Sequence, residues 1–244
     1  MKTIEICSIG DLLSEIKNII NTTNNRLLFR GHSDESWDLL PSVKRKCSDQ
    51  EERYLTNEFR VKAPSRYNHC PAVSDYSSWL ALMQHFGLPT RLLDWSYSPL
   101  VALYFAVFVN SGPTNPCIWI LSARTLNQNQ GFDPVVYPLN AWSFENLIEP
   151  AFKKRPETGK VAVAMGIEFD SRIQLQQGAF TIHSSDIPLN KFEDASDFLV
   201  KLVIPHDCKS QLFDELQILG ITKSYLFPDL VSLSEDLKYK HGII

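Results

Sequence analysis

Apolar positions along this chain keep two rhythms, one near 3.6 residues and one near 2, and alternation between them lays out the fold. Leu12, Leu13, Ile16, Ile19 and Ile20 recur at steps of three and four, which predicts an amphipathic helix over residues 8–20. After the polar turn Asn21 to Asn25, the run Arg26-Leu27-Leu28-Phe29-Arg30-Gly31-His32 reads as a short buried strand. Its glycine admits close approach of another backbone. Residues 49–63 give a helix with a ragged stripe. Ser74 to Phe86 gives a clearer one, stopped by Gly87 and Pro89. Thr90 to Trp95 reads as a strand. Ser98-Pro99 restarts a helix, since serine accepts an orphan amide and proline at the first position forfeits no bond. That helix, Leu100 to Val109, is apolar nearly all round and is expected at the centre.

Beyond it, Cys117 to Leu121 reads as a buried strand. Residues 126–160, rich in Asn, Gln and Pro, read as an irregular insertion folded over the core. Arg172 to His183 alternates around Gly178 and reads as a bent or bulged strand. Phe198 to Ile204 is a strand, Lys209 to Leu219 a helix closed by Gly220, and Pro228 to Tyr239 a final helix. No repeat or linker interrupts the order. The expectation is one α+β domain, a mixed central sheet with packed helices, with residues 1–25 a helical segment preceding a domain over 26–244.

Composition narrows the function classes. The 244 residues carry 24 Lys+Arg against 28 Asp+Glu, a net charge of −4, so there is no general attraction to nucleic acid or an anionic membrane. The longest apolar-rich stretch is about half of the roughly 20 residues that span a bilayer. Five cysteines, odd in number and never spaced as CxxC, point to free thiols in a reducing cytoplasm. The expectation is a cytoplasmic protein with no membrane partner. No P-loop, dinucleotide-binding glycine turn, HExxH, EF-hand loop or GxSxG elbow occurs. Six scattered histidines suggest no metal site. The basic runs Lys44-Arg45-Lys46 and Lys153-Lys154-Arg155 read as solvated loops.

Several sequence features converge on one family. Phe29-Arg30-Gly31, Trp37-x-Leu-x-Pro41, the run Gln84-His85-Phe86-Gly87-Leu88-Pro89-Thr90-Arg91-Leu92-Leu93-Asp94-Trp95-Ser96 and Ser98-Pro99-Leu100 to Ala106 resemble the FRG domain family, named for its Phe-Arg-Gly tripeptide. Gln176-Gln177-Gly178 and Phe227-Pro228-Asp229-Leu230 extend the likeness toward the C-terminus. The resemblance implies a bacterial or phage protein and carries no established chemistry.

Strongly polar residues inside apolar segments supply the candidate chemistry: Arg30, Gln84, His85, Arg91, Asp94, Arg172, Gln177 and His183. Buried charge is costly unless it is paired or faces a ligand. One reading is a purely structural polar network. The other is a cleft shared by an arginine on a first strand, a strand–serine–helix unit and a late polar strand. That order is similar to the ADP-ribosyltransferase superfamily, and the similarity implies NAD as cofactor. It gives Arg30, with Gly31, Arg91, Ser96 and Ser98, cofactor-binding roles, and Asp94 and Gln177 the catalytic positions. Gln177 departs from the acid expected there, because an amide cannot serve as a base. Ser98 reads more readily as a helix cap than as a pocket residue, and His85 as a satisfied terminal histidine than as a base. The functional expectation is an ADP-ribosyltransferase-like toxin or defence effector acting on a macromolecule. The alternatives are a non-catalytic nucleotide- or protein-binding module and, more weakly, a nuclease. The first reading requires Arg30, Arg91, Asp94 and Gln177 to meet around one cleft.

Overall fold

The computed structural model describes residues 2–22, 26–108, 112–167 and 171–243. Eight strands, β1 (Thr3–Glu5), β2 (Leu27–His32), β3 (Leu92–Ser96), β4 (Cys117–Ser122), β5 (Tyr137–Pro138), β6 (Val161–Met165), β7 (Gly178–His183) and β8 (Leu199–Val203), form one mixed sheet in the order β1-β8-β4-β2-β3-β7-β6-β5. The two outer pairs are parallel and the inner ones antiparallel. The helices are α1 (Ile9–Thr22), α2 (Ser42–Lys46), α3 (Asp49–Lys62), α4 (Tyr76–His85), α5 (Pro99–Val107) and α6 (Ala123–Asn129), then α7 (Glu145–Ile148), α8 (Ser171–Gln176), α9 (Ala195–Phe198), α10 (Lys209–Ile218), α11 (Lys223–Leu226) and α12 (Leu230–Lys240). The architecture is mixed α+β. No described helix is long and apolar enough to cross a membrane.

Local chemistry sets the element ends. Ser48 and Glu51 close a capping box on α3. Ser98 accepts from the Val101 amide with Pro99 at the first helical position, which starts α5 directly after β3. On one face of the sheet, α1, α5 and α10 cover β2 and β4 through Leu12, Leu103, Phe29, Ile120 and Leu212. Beside them, Trp79 and Leu82 of α4 cover β3, β6 and β7 together with Phe144 and Ile148. The opposite face packs Leu28, Trp95, Trp119 and Val163 against Leu126 and Phe198. Residues 126–160 do fold over the core, contributing Leu139, Phe144 and Leu147 to it.

The structure corrects several expectations. The segment read as one bent strand over Arg172–His183 is the short helix α8 followed by β7, and Gln177 between them has a φ of +48°. The N-terminal 25 residues hold not only a helix but the edge strand β1, parallel to β8. Lys44 is no solvated loop residue: its side chain is 3% exposed and pairs with Asp49, Glu157 and Asp186. Five free thiols were expected, but Cys7 and Cys208 are joined in a disulfide, leaving Cys47, Cys70 and Cys117 free. Sequence spacing carries no trace of this bond, because its partners lie 201 residues apart.

Gly31 leaves no room for a side chain. A Cβ built there would stand 2.0 Å from the Ala102 carbonyl oxygen and 2.6 Å from the Ala106 nitrogen, both α5 backbone. Gly31→Ala is expected to destabilise the protein by about 1–3 kcal/mol, the usual cost of overpacking, read from the urea midpoint. An unchanged midpoint would show that α5 can retreat freely. Reducing the Cys7–Cys208 bond, or Cys7→Ser, should cost about 2–4 kcal/mol through restored freedom of the unfolded chain. Ready alkylation of both thiols without prior reduction would disprove the bond.

Candidate functional site

The sheet nearly divides at its centre. β2 pairs with β4 from Leu27 opposite Ser122 to His32 opposite Cys117, and β3 pairs with β7 along its whole length. Between β2 and β3 only Phe29 and Ser96 stand in register. Continuing that register would set Gly31 opposite Asp94; instead the strands part, and Arg30 Nη1 donates to the Asp94 carbonyl at 2.6 Å. Helix α5 covers one side of the parting and α4 the other. A cavity of about 410 Å³ opens between them, walled by Phe29, Trp37, Ala102, Phe105 and Phe180. Its polar groups come from Arg30, His32, Gln84, His85, Asp94 and Ser96.

Two short chains of hydrogen bonds organise those groups. Thr90, fully buried, donates from its hydroxyl to Gln84 Oε1 at 2.5 Å while accepting from the Leu92 amide. With its oxygen engaged, the Gln84 amide turns Nε2 to Asp94 Oδ2 at 2.7 Å. The second chain starts at Arg30, whose Nε donates to His32 Nε2 at 3.0 Å. Alternation along β2 puts Arg30 and His32 on one face of the strand and Phe29 and Gly31 on the other. Burial pushes the Arg30 guanidinium down from its ordinary value and Asp94, 4.0 Å away, pulls it back. An arginine so placed stays charged at neutral pH. The Asp94 side chain is 58% exposed, so its carboxylate is open to a ligand.

The expected site residues divide. Arg30, Gly31, Asp94 and Ser96 line the cavity. Ser96 is spent on structure, donating to the Gln176 carbonyl at 2.7 Å and accepting from the Ser98 amide at 3.0 Å. Ser98 serves as the α5 cap and stands outside the cavity lining. Gln177 is exposed and sits next to the lining residues Gln176 and Gly178 rather than among them. Its left-handed backbone ends α8, and its carbonyl accepts from the Tyr97 amide at 3.0 Å.

Arg91, expected in the cleft, is elsewhere. It is fully buried and grips Glu52 with Nε–Oε1 2.9 Å and Nη2–Oε2 2.5 Å, reaching also Glu157 and the Leu147 carbonyl. Burial opposes its charge, but bonding to Glu52 and Glu157 outweighs that and raises its pKa. Glu157 is pushed up by burial and drawn further down by Arg91, Ser184 and Lys44. Oxygens of Asp49, Glu52 and Glu157 converge closely enough for a cation, but Arg91 and Lys44 already pair with them. This is a structural knot. It met the burial argument made for Arg91, but Glu52 and Lys44 gave no sign, because both sit in runs that read as solvated helix or loop.

Residues 25–113 match the family model described as FRG domain. That span is an FRG domain. It includes β2, β3 and α2 to α5, hence both strands of the parting and both helices over it. The FRG tripeptide now has a physical account: Phe29 packs in the core, Arg30 bridges the parted strands, and Gly31 admits α5. No curated protein and no solved structure gives a significant match to the chain.

Beside His32, a second buried histidine bears on acid stability. His183, on β7, is fully buried, and its Nε2 lies 2.8 Å from Thr181 Oγ1, which itself accepts from Trp95 Nε1. Burial first, then the Arg30 charge, brings both His32 and His183 down to about 3. An unfolded histidine takes a proton at about 6.5. Below that pH the unfolded chain binds protons that the native state refuses, so stability is full above about 6.5 and falls toward pH 3. The urea midpoint should drop steadily from pH 7 to pH 5. A midpoint flat across that window would mean that these rings are not buried neutral.

Proposed function

We propose that the FRG domain is an ADP-ribosyltransferase-like enzyme that takes a nicotinamide dinucleotide as substrate in the cleft between β2 and β3. The observation that carries this reading is the meeting of one guanidinium and one open carboxylate, Arg30 and Asp94, where the two strands part beyond the Phe29–Ser96 pair. Two of the Arg30 nitrogens are engaged by protein, and Nη2 has no partner among the described residues. A guanidinium suits phosphate oxygens. Trp37, Phe105 and Phe180 supply apolar walls for planar rings, and about 410 Å³ is within the range of small-molecule clefts.

In the reaction, the bond between ribose C1′ and the nicotinamide nitrogen breaks, and its electron pair leaves with nicotinamide. An acceptor hydroxyl or amine forms a new bond to the same carbon. Asp94 carries the negative charge that stabilises the cationic sugar, and its carboxylate receives the acceptor's proton. Gln84 holds that carboxylate from one side. Gln177, lacking an acid and standing off the cavity lining, has no part in this step. An acid 58% exposed leaves room for a macromolecular acceptor, in keeping with a toxin or defence effector.

Calorimetric titration with nicotinamide dinucleotide tests the reading. Arg30→Lys should weaken binding by about 1.5–3 kcal/mol, the worth of hydrogen bonds to a charged group. Asp94→Asn should keep binding within a few-fold and abolish nicotinamide release. A folded wild type that binds nothing at millimolar ligand would overturn the cofactor. Binding without nicotinamide release, with any acceptor tried, would leave a nucleotide-binding module.

A further inference from the structure

Arg30 is held at two ends. Asp94 contributes a carbonyl from β3, and His32 contributes Nε2 from Arg30's own strand, two residues on. The second contact is chemically particular. A ring nitrogen accepts only while unprotonated, so the Arg30–His32 bond requires neutral imidazole with its proton on Nδ1. Several features enforce that state. The His32 ring is 5% exposed and leans on Trp37 with centroids 5.9 Å apart. Cations surround it: Arg30 on β2, Arg45 on α2 and Lys201 on β8, against Asp34 in the following loop. Cys117 lies opposite it on β4, its thiol pushed by burial to about 12 and therefore uncharged.

We infer that His32 is a positioning residue, a hydrogen-bond acceptor that fixes the Arg30 guanidinium so that Nη2 meets a phosphate oxygen of a ligand in the cleft. This rests on the cleft being an anion site, as proposed above, but not on glycosidic-bond cleavage. A free arginine side chain would have to be ordered at the moment of binding, whereas this one is ordered beforehand. The arrangement also removes the pH dependence that a histidine beside an anion site ordinarily brings. A solvated imidazole would gain a proton near 6.5 and strengthen anion binding below it. Here His32 stays neutral, with its proton affinity brought down to about 3 by burial and by Arg30.

The probes are inorganic pyrophosphate and nicotinamide dinucleotide, titrated into the full chain at pH 5.5, 6.5 and 7.5, with ¹⁵N spectra of the histidine rings recorded alongside. The spectra should show His32 protonated at Nδ1 only and unchanged over that range. Dinucleotide affinity should vary less than twofold with pH, since its phosphates keep their charge over that range. Pyrophosphate itself loses a proton within that range, so its affinity is compared between variants at pH 7.5. His32→Leu should weaken it roughly tenfold, as loss of one charge-assisted hydrogen bond would, while His32→Gln, whose amide oxygen can accept, should restore most of it. If His32→Leu does not fold, the wild-type tautomer and the His32→Gln affinity decide. A ring protonated at Nε2, a His32 titration between pH 5.5 and 7.5, equal affinities for wild type and His32→Leu, or no pyrophosphate binding by wild type would each overturn the inference. Pyrophosphate binding with the expected His32 dependence but no dinucleotide cleavage would sink the enzyme reading alone.

Discussion

The approach of α5 to Gly31 is the constraint on which the rest of the centre depends. With carbonyl and amide of the helix where a side chain would otherwise stand, α5 lies directly on β2. Yet α5 is tethered to β3 by only Tyr97 and Ser98. The helix is thus pressed on one strand and leashed to its neighbour, and the two strands keep a single registered pair before parting. A sheet interrupted at its middle leaves main-chain polar groups in want of partners. Arg30 answers one of them, and the cleft is the space that remains. Fold and site are therefore one arrangement: closing the gap would need α5 to lift, and lifting α5 would cost the core formed by Leu103, Ile120 and Leu212.

Much of this was readable along the chain because its periodicities are strong. The helix started by Ser98 and Pro99, the strand around Phe29 and the close-approach role of Gly31 follow from rules that act within a few residues. The failures were at longer range. Arg172–His183 alternates like a strand, but its first half is α8, since the αL backbone of Gln177 allows a sharp change of element that alternation cannot report. Lys44 and Glu52 look solvated by composition, and only the fold brings them to Arg91. Cys7 and Cys208 are united by the parallel placement of β1 beside β8, which spacing cannot foretell.

The run from Gln84 to Asp94 shows why burial alone misassigns residues. Arg91 and Asp94 are three apart, and the sequence reading sets both in one cleft. The structure gives them unrelated tasks. Gln84, Thr90 and Asp94 form one chain of hydrogen bonds leading to the cleft, while Arg91 turns to Glu52 and Glu157 behind it. Removing one partner from such a buried pair leaves an uncompensated charge. A polar residue in an apolar run thus announces that it has a partner, not whether the partner is a ligand. His32, passed over among scattered histidines, carries the opposite lesson. Its position two residues from Arg30 on one strand was enough to put both on the same face.

The Cys7–Cys208 bond has a mechanical consequence. Tension that enters the chain before Cys7 and leaves after Cys208 is transmitted by a covalent bond, so the 201-residue span between them bears none of it. The strands from β2 to β8 and the cleft lie inside that span and are shielded, whereas the three-residue β1 stands before Cys7 and bears the load. Outside the closed loop lie β1 and the segment carrying the helices α10 to α12. Dragged by its ends through a narrow pore or toward an unfolding motor, the oxidised chain would shed those helices and then jam with its cleft intact. The reduced chain would thread through.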